Sequence, residues 1–226
     1  MKTLVRTPLA RSRPQTLRRR VRERAARHQD IVAAARDVFA SRGFEKATLE
    51  EIAEHAELGK GTVYNYFESK ESLFTAALES LLDDMREIAS AAALESGSAR
   101  QCFDRYTTRL VHYYRRNYDF CQMVSNECAR VCHGGRGRRH RRLQDSMLAA
   151  VEPLAGALRQ AIKTGEVRRA DPMSLAIMFF GLLHEYFLHA PSVRGARVLR
   201  DTDLHTDLVV SVFFDGVGRA RAASGV

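Results

Sequence analysis

The stretch TLEEIAEHAELGKGTVYNYFESKESLF, from Thr48 to Phe74, constrains the fold more tightly than any other part of this 226-residue chain. Thr48-x-x-Glu51 has the spacing of a capping box: the Thr hydroxyl takes a free amide of the first turn, and the Glu reaches back to the Thr amide. Leu49, Ile52, Ala53 and Ala56 then fall on one helical face, with Glu50, Glu51, Glu54 and Glu57 turned outward. Glu57-Leu58-Gly59 makes a tight turn around a buried Leu, and a second helix follows over Lys60 to Tyr66. Its apolar side holds Val63 and Tyr66 or Phe67, and its opposite side offers Lys60, Thr62, Tyr64 and Asn65. Two short helices joined by a Gly-containing turn fit the helix-turn-helix, which lays its second helix in the major groove of DNA.

The string Thr48-x3-Ile52-Ala53-x2-Ala56, followed by Lys60-Gly61-Thr62-Val63-Tyr64-Asn65-Tyr66-Phe67-x2-Lys70-x2-Leu73, resembles the DNA-binding signature of the tetracycline-repressor (TetR) family. It departs at the turn, where that family carries Ala-Gly-Val-Ser and this chain has Ala56-Glu57-Leu58-Gly59. Glu57 must then take a turn conformation that glycine adopts freely, and Gly59 replaces a side-chain N-cap worth about 1 kcal/mol. The resemblance implies an all-α protein of about nine helices: a helix-turn-helix DNA-binding domain, then a larger helical domain that dimerises and holds a small ligand. It implies a transcriptional regulator rather than an enzyme: a cytoplasmic homodimeric repressor on a palindromic double-stranded operator, released by a small-molecule effector. On that reading Thr62 and Tyr64 reach base edges, with Asn65 a further reader and Lys60 and Gly61 on the same face. Thr48, Tyr66 and Lys70 hold backbone phosphates.

The first 28 residues hold ten Lys or Arg and one acid, Glu23, a net +9. The whole chain is also +9, so the rest balances to zero and the basic character belongs to this arm. Residues 29–74 are net acidic, an unusual balance for a module that must approach a polyanion, and only with the arm does the unit turn basic. Pro8 and Pro14 predict that about the first 15 residues are disordered, while Thr16–Arg27 could extend the next helix, and the arm is set at 1–23 as largely disordered. Arg18, Arg19, Arg20, Arg22 and Arg24 are candidates for phosphates or the adjacent minor groove. The arm has no apolar core of a secretory signal; a solvated tail and an Arg-rich transit peptide are the other readings.

A first helix is expected over Arg24–Arg42, with Ile31, Val32, Ala35, Val38 and Phe39 on one stripe and Gly43 as its left-handed stop. The DNA-binding domain is therefore set at 24–74 and the second domain at 75–226. Ser69-Lys70 opens a fourth helix with Leu73, Phe74, Ala77, Leu78, Leu81 and Leu82 inward, ending at Ser96-Gly97-Ser98. Further helices are expected over 99–117, 118–131, 138–163, 173–189 (launched by Asp171-Pro172 and stopped by Pro191-Ser192) and 201–219. Leu175, Phe179, Leu182, Leu183 and Tyr186, with Leu204, Leu208, Val212 and Phe213, exceed what one small core needs and predict a dimeric four-helix bundle. Phe103, Tyr106, Leu110, Met123, Met147, Met178 and Phe179, with Tyr106 or His184 supplying polarity, are the candidate wall of a largely apolar ligand pocket. A plain dry core uses the same residue types.

The chain has no P-loop, G-x-S-x-G, H-E-x-x-H or Rossmann glycines, so neither cofactor nor metal is expected. Cys121, Cys128 and Cys132 could share a helical face as a thiol sensor or metal site, but small core residues are the plainer reading. Arg138–Arg142 reads as a solvated helix start. A helical enzyme or metal protein that mimics the motif is the competing class. It has no reason to expose Thr62, Tyr64 and Lys70 around one short helix.

Overall fold

The computed structural model describes residues 13–133, 138–194 and 206–217. Their regular elements are nine helices: α1 (Arg13–Arg42), α2 (Leu49–His55), α3 (Lys60–Tyr66), α4 (Lys70–Leu94), α5 (Ala99–Arg116), α6 (Tyr118–His133), α7 (Arg138–Thr164), α8 (Pro172–Arg194) and α9 (Thr206–Val217).

The small N-terminal core is built as the apolar spacing dictates. Ile31, Ala35 and Phe39 of α1 are fully buried with Ile52 of α2 and Val63 of α3. Gly43 ends α1 at φ +75°, and the chain returns Phe44 onto the rings of Phe39 and Phe74, 5.8 and 4.9 Å between centroids. The capping box forms at Thr48: its hydroxyl accepts from the Glu51 amide at 3.2 Å, and the Glu51 carboxylate accepts from the Thr48 amide at 3.1 Å. Glu57 sits at φ +54°, the left-handed conformation expected of the residue that replaces glycine in the turn.

The larger unit forms around α4, which packs along α7 and against α5, while α7 also packs on α8, and α9 lies on α5. Short polar signals start these helices. Ser69 and Ser98 make capping boxes with Ser72 and Gln101, and Asp171 accepts from the Ser174 amide at 2.7 Å. Two boundaries differ from expectation. α1 begins at Arg13, so the extension allowed over Thr16–Arg27 is the form found, and Arg13–Glu23 is helical where a largely disordered arm is expected. Arg, Gln, Leu and Ala are good helix formers, and the helix below supplies the nucleus that an isolated arm lacks. α8 runs past Pro191 to Arg194, as α7 absorbs Pro153.

The two units are joined through a charged cluster. Arg36 of α1 donates to Asp84 of α4 at 2.7 Å, to Ser80 at 3.3 Å, to the Tyr113 hydroxyl of α5 at 2.5 Å and to Asn117 at 3.3 Å. Its guanidinium lies 5.1 Å from the Phe120 ring of α6, and the Tyr113 hydroxyl donates to Asp84 at 2.7 Å.

Candidate nucleic-acid interface

Val63 and Phe67 fix α3 by their burial, and this fixes what the helix shows to solvent. Lys60, Gly61, Tyr64 and Asn65 are exposed, Thr62 is half-buried beside them, and Thr48 is exposed at the start of α2. The predicted face therefore exists as one surface. Two of its members already have partners within the chain. The Tyr64 hydroxyl donates to Glu50 of α2 at 3.3 Å, and the Lys60 ammonium lies 3.7 Å from the same carboxylate. The backbone hydrogen bond at Glu50, then Lys60 and Tyr64, hold this carboxyl below its usual range, while the Glu50 charge pushes the Tyr64 phenol up.

The proposed phosphate contacts are less free than the sequence suggests. Lys70 donates to the Glu45 carbonyl at 2.9 Å and lies 4.7 Å from the Phe44 ring, strapping the α1–α2 connection. Its removal therefore also loosens that turn. Tyr66 is half-buried, with the Arg24 guanidinium 5.7 Å from its ring and His28 packed beside it and Phe67. The basic segment of α1 thus passes the C-terminal end of α3. Arg18, Arg20, Arg22, Arg24 and Arg27 are exposed there, as is Arg19, which donates to Glu23 at 2.7 Å. An α-helix is about 10 Å across and the minor groove about 6 Å wide, so this segment suits phosphates rather than minor-groove insertion. Residues 1–12 lie outside the described residues.

In the larger unit, Phe103, Tyr106, Leu110 and Phe179 are all fully buried together, with Phe103 and Phe179 4.6 Å apart and Tyr106 6.4 Å from Phe179. Met123 and His184 are half-buried, and His184 Nδ1 pairs with the Tyr114 hydroxyl at 2.7 Å. The Tyr106 hydroxyl has no hydrogen-bond partner among the described residues, and burial pushes its phenol well up, so it remains a neutral donor. Met147 and Met178 do not belong to this cluster: they are 45% and 65% exposed. Leu175, Phe179 and Leu183 take the inward face of α8, which turns Met178 out, whereas Met147 lies where α7 is incompletely covered. A groove of about 1120 Å³ lies elsewhere, between α1 and α4, and Arg36, Asp84, Asn117 and Arg142 line it. Burial pushes the Cys121 thiol up to about 12, which removes the thiolate a redox sensor needs; the Cys128 and Cys132 side chains lie outside the described residues.

The family model described as bacterial regulatory proteins, tetR family, matches residues 31–77, which contain α2, the turn and α3. Residues 31–77 of this chain are a TetR-type DNA-binding domain. Among curated relatives it is similar to the transcriptional regulator RutR of Escherichia coli K12, 27% identical over 200 residues that cover 88% of this chain and 92% of RutR. The transcriptional repressor NicS of Pseudomonas putida is 28% identical over 147 residues, 65% of this chain and 66% of NicS. The fold is that of a TetR-family regulator from Marinobacter aquaeolei, with TM-score 0.66, 20% identity and coverage of 87% and 98%. It is also that of Bacillus subtilis FadR in complex with stearoyl-CoA, with TM-score 0.67, 17% identity and coverage of 84% and 98%. The protein is a DNA-binding transcriptional regulator with a TetR-type DNA-binding domain, and among its described residues no helix is long and apolar enough to cross a membrane.

Several large apolar side chains of α8 and α9 stay exposed among the described residues. Ile177, Met178 and Leu182 of α8 and Leu208 and Val212 of α9 are all more than two-fifths exposed. Phe213, expected on that surface, is instead buried against Phe103, Phe179 and Phe214, and Leu175, Phe179 and Leu183 are likewise core residues. Leu204 lies outside the described residues.

Proposed function

We propose that the protein is a cytoplasmic homodimeric repressor that binds an inverted-repeat operator and leaves it when a small, largely apolar ligand enters the α5–α8 region. The observation that carries this is the α2–turn–α3 unit, whose small core is complete while Tyr64 and Asn65 stay exposed, with Thr62 beside them. α3 lies in the major groove, Thr62, Tyr64 and Asn65 meet base edges, and Lys60, Gly61, Thr48, Tyr66 and Lys70 lie along the phosphates. The buried Tyr106 hydroxyl, a donor with no acceptor, favours an effector that brings a carbonyl or ester oxygen into an otherwise apolar site.

Selection from a random duplex pool should return two inverted half-sites. Thr62→Ala should then change base preference, costing about 1–3 kcal/mol for a lost specific contact, and Tyr64→Ala should weaken binding with the fold intact. Unchanged footprints in both variants, with folding verified, would remove α3 from the interface.

The basic segment of α1 supplies the sequence-independent part of the affinity. Each phosphate it neutralises adds about 0.9 to the slope of log K against log salt. Deleting residues 1–20 should flatten that slope by at least about two for the dimer and weaken all sequences alike. A deletion variant that keeps the full-length slope would leave this segment a solvated extension.

A further inference from the structure

Glu50 stands on the reading surface itself. It lies on the first turn of α2, 42% of its side chain is exposed, and one oxygen meets both the Tyr64 hydroxyl, at 3.3 Å, and the Lys60 ammonium, at 3.7 Å. An ionised carboxylate is acceptor-only. On a face that must approach phosphate oxygens and base-edge acceptors, it is the wrong charge for affinity, and it occupies two of the groups proposed to contact DNA. From this geometry we infer that Glu50 is a specificity-determining residue of the interface.

This inference rests on the proposed placement of α3 in the major groove. In a complex with arbitrary sequence, the Glu50 carboxylate, offset only in part by Lys60 and Tyr64, faces phosphates and the acceptor edges of guanine with no donor from the DNA, so it weakens that complex. At the operator it accepts a hydrogen bond from an exocyclic amino group, cytosine N4 or adenine N6, which are the major-groove donors. Accepting that bond also leaves it in place to orient the Tyr64 ring and the Lys60 chain. The same charge therefore penalises the wrong sequence and contributes at the right one, which is how discrimination is obtained when attraction alone would not distinguish the two.

Glu50→Gln keeps the shape, and the amide oxygen still accepts from Tyr64, but the charge is gone and an amino donor now faces the groove. Binding of the dimer to a duplex of unrelated sequence should rise about three-fold per protomer, or about ten-fold for two copies. Operator affinity should stay level or fall, so the operator-to-unrelated ratio drops by about ten-fold or more. Selection with the variant should lose its preference at one amino-bearing base in each half-site. Tyr64→Phe, which leaves the carboxylate and removes its hydroxyl partner, should weaken the operator without raising unrelated binding. Melting curves of both variants confirm that the fold is retained. A Glu50→Gln ratio and consensus equal to wild type, while Thr62→Ala shifts the consensus, would overturn this inference alone. If wild type enriches no sequence at all, the placement of α3 falls and this inference falls with it.

Discussion

Replacing Leu182 or Val212 by Glu should convert a dimer at micromolar concentration into monomers and lower operator affinity by at least about 100-fold. Both side chains are large, apolar and exposed, on the two helices whose outer face is otherwise unused. A two-fold axis counts each change twice: burying one such side chain is worth about 1.5–3 kcal/mol, and the substitution also places two like charges across the axis. A monomer meets a single half-site, so the second half contributes nothing. Light scattering reports the association state and a gel shift reports the affinity. A wild type that is monomeric at micromolar concentration, or a Leu182→Glu variant that stays dimeric, would rule the interface out. Phe213 is the wrong place for this experiment. It is sandwiched among Phe103, Phe179 and Phe214, and a charge there would unfold the domain rather than divide the dimer.

Arg36→Ala should lower the stability of the whole chain by about 2–3 kcal/mol and its melting midpoint by about 5–10 °C. The Arg36 side chain is only 15% exposed and reaches four polar side chains on α4, α5 and the α5–α6 junction. Burial alone would lower the pKa of the guanidinium, but Tyr113 and Asp84 outweigh it and keep it charged. Without it, the Asp84 carboxylate retains the Tyr113 hydroxyl but no cation. Arg36→Lys should fall between, because an ammonium keeps the charge and cannot serve Asp84 and Tyr113 with separate nitrogens. Thermal denaturation checks the size. Hydrogen exchange should place the loosening at the seam between α1 and α4–α6, and an Arg36→Ala melting curve equal to wild type would show the cluster to be ornamental.

Local chemistry made most of the N-terminal unit legible before any coordinates. The Thr48–Glu51 box, the Gly43 stop, the left-handed Glu57 and the burial of Ile52 and Val63 each follow from a few neighbouring residues, and each is found. The launch of α8 by Asp171 is of the same kind. What escaped depends on partners far along the chain. Arg36 lies 48 residues from Asp84 and 77 from Tyr113, and its only sequence signal is an arginine within a turn of the apolar stripe Val32–Ala35–Phe39. The assignment of Met178 and Phe213 failed for a related reason. An amphipathic pattern identifies apolar positions, but on helices that are apolar all round it does not say which side meets the core and which meets a second copy. The basic segment was legible only in part: Thr16–Arg27 reads as a possible extension of the helix, but Pro14 reads as a breaker, whereas a proline in the first turn of a helix costs no hydrogen bond.

That segment and Arg36 belong to one unbroken helix, and this has a mechanical consequence. From Arg36 to Arg18 is 18 residues, or about 27 Å of rigid rod at 1.5 Å per residue. The Arg36 cluster sits near one end of this rod as a fulcrum, and the cationic side chains lie along the other. A tilt of about 5° at the fulcrum, a displacement of only tenths of an ångström among its own hydrogen-bonded groups, sweeps Arg18 through about 2 Å. α1 is in this sense a pointer, and a tilt at Arg36 would reach the distant charges enlarged.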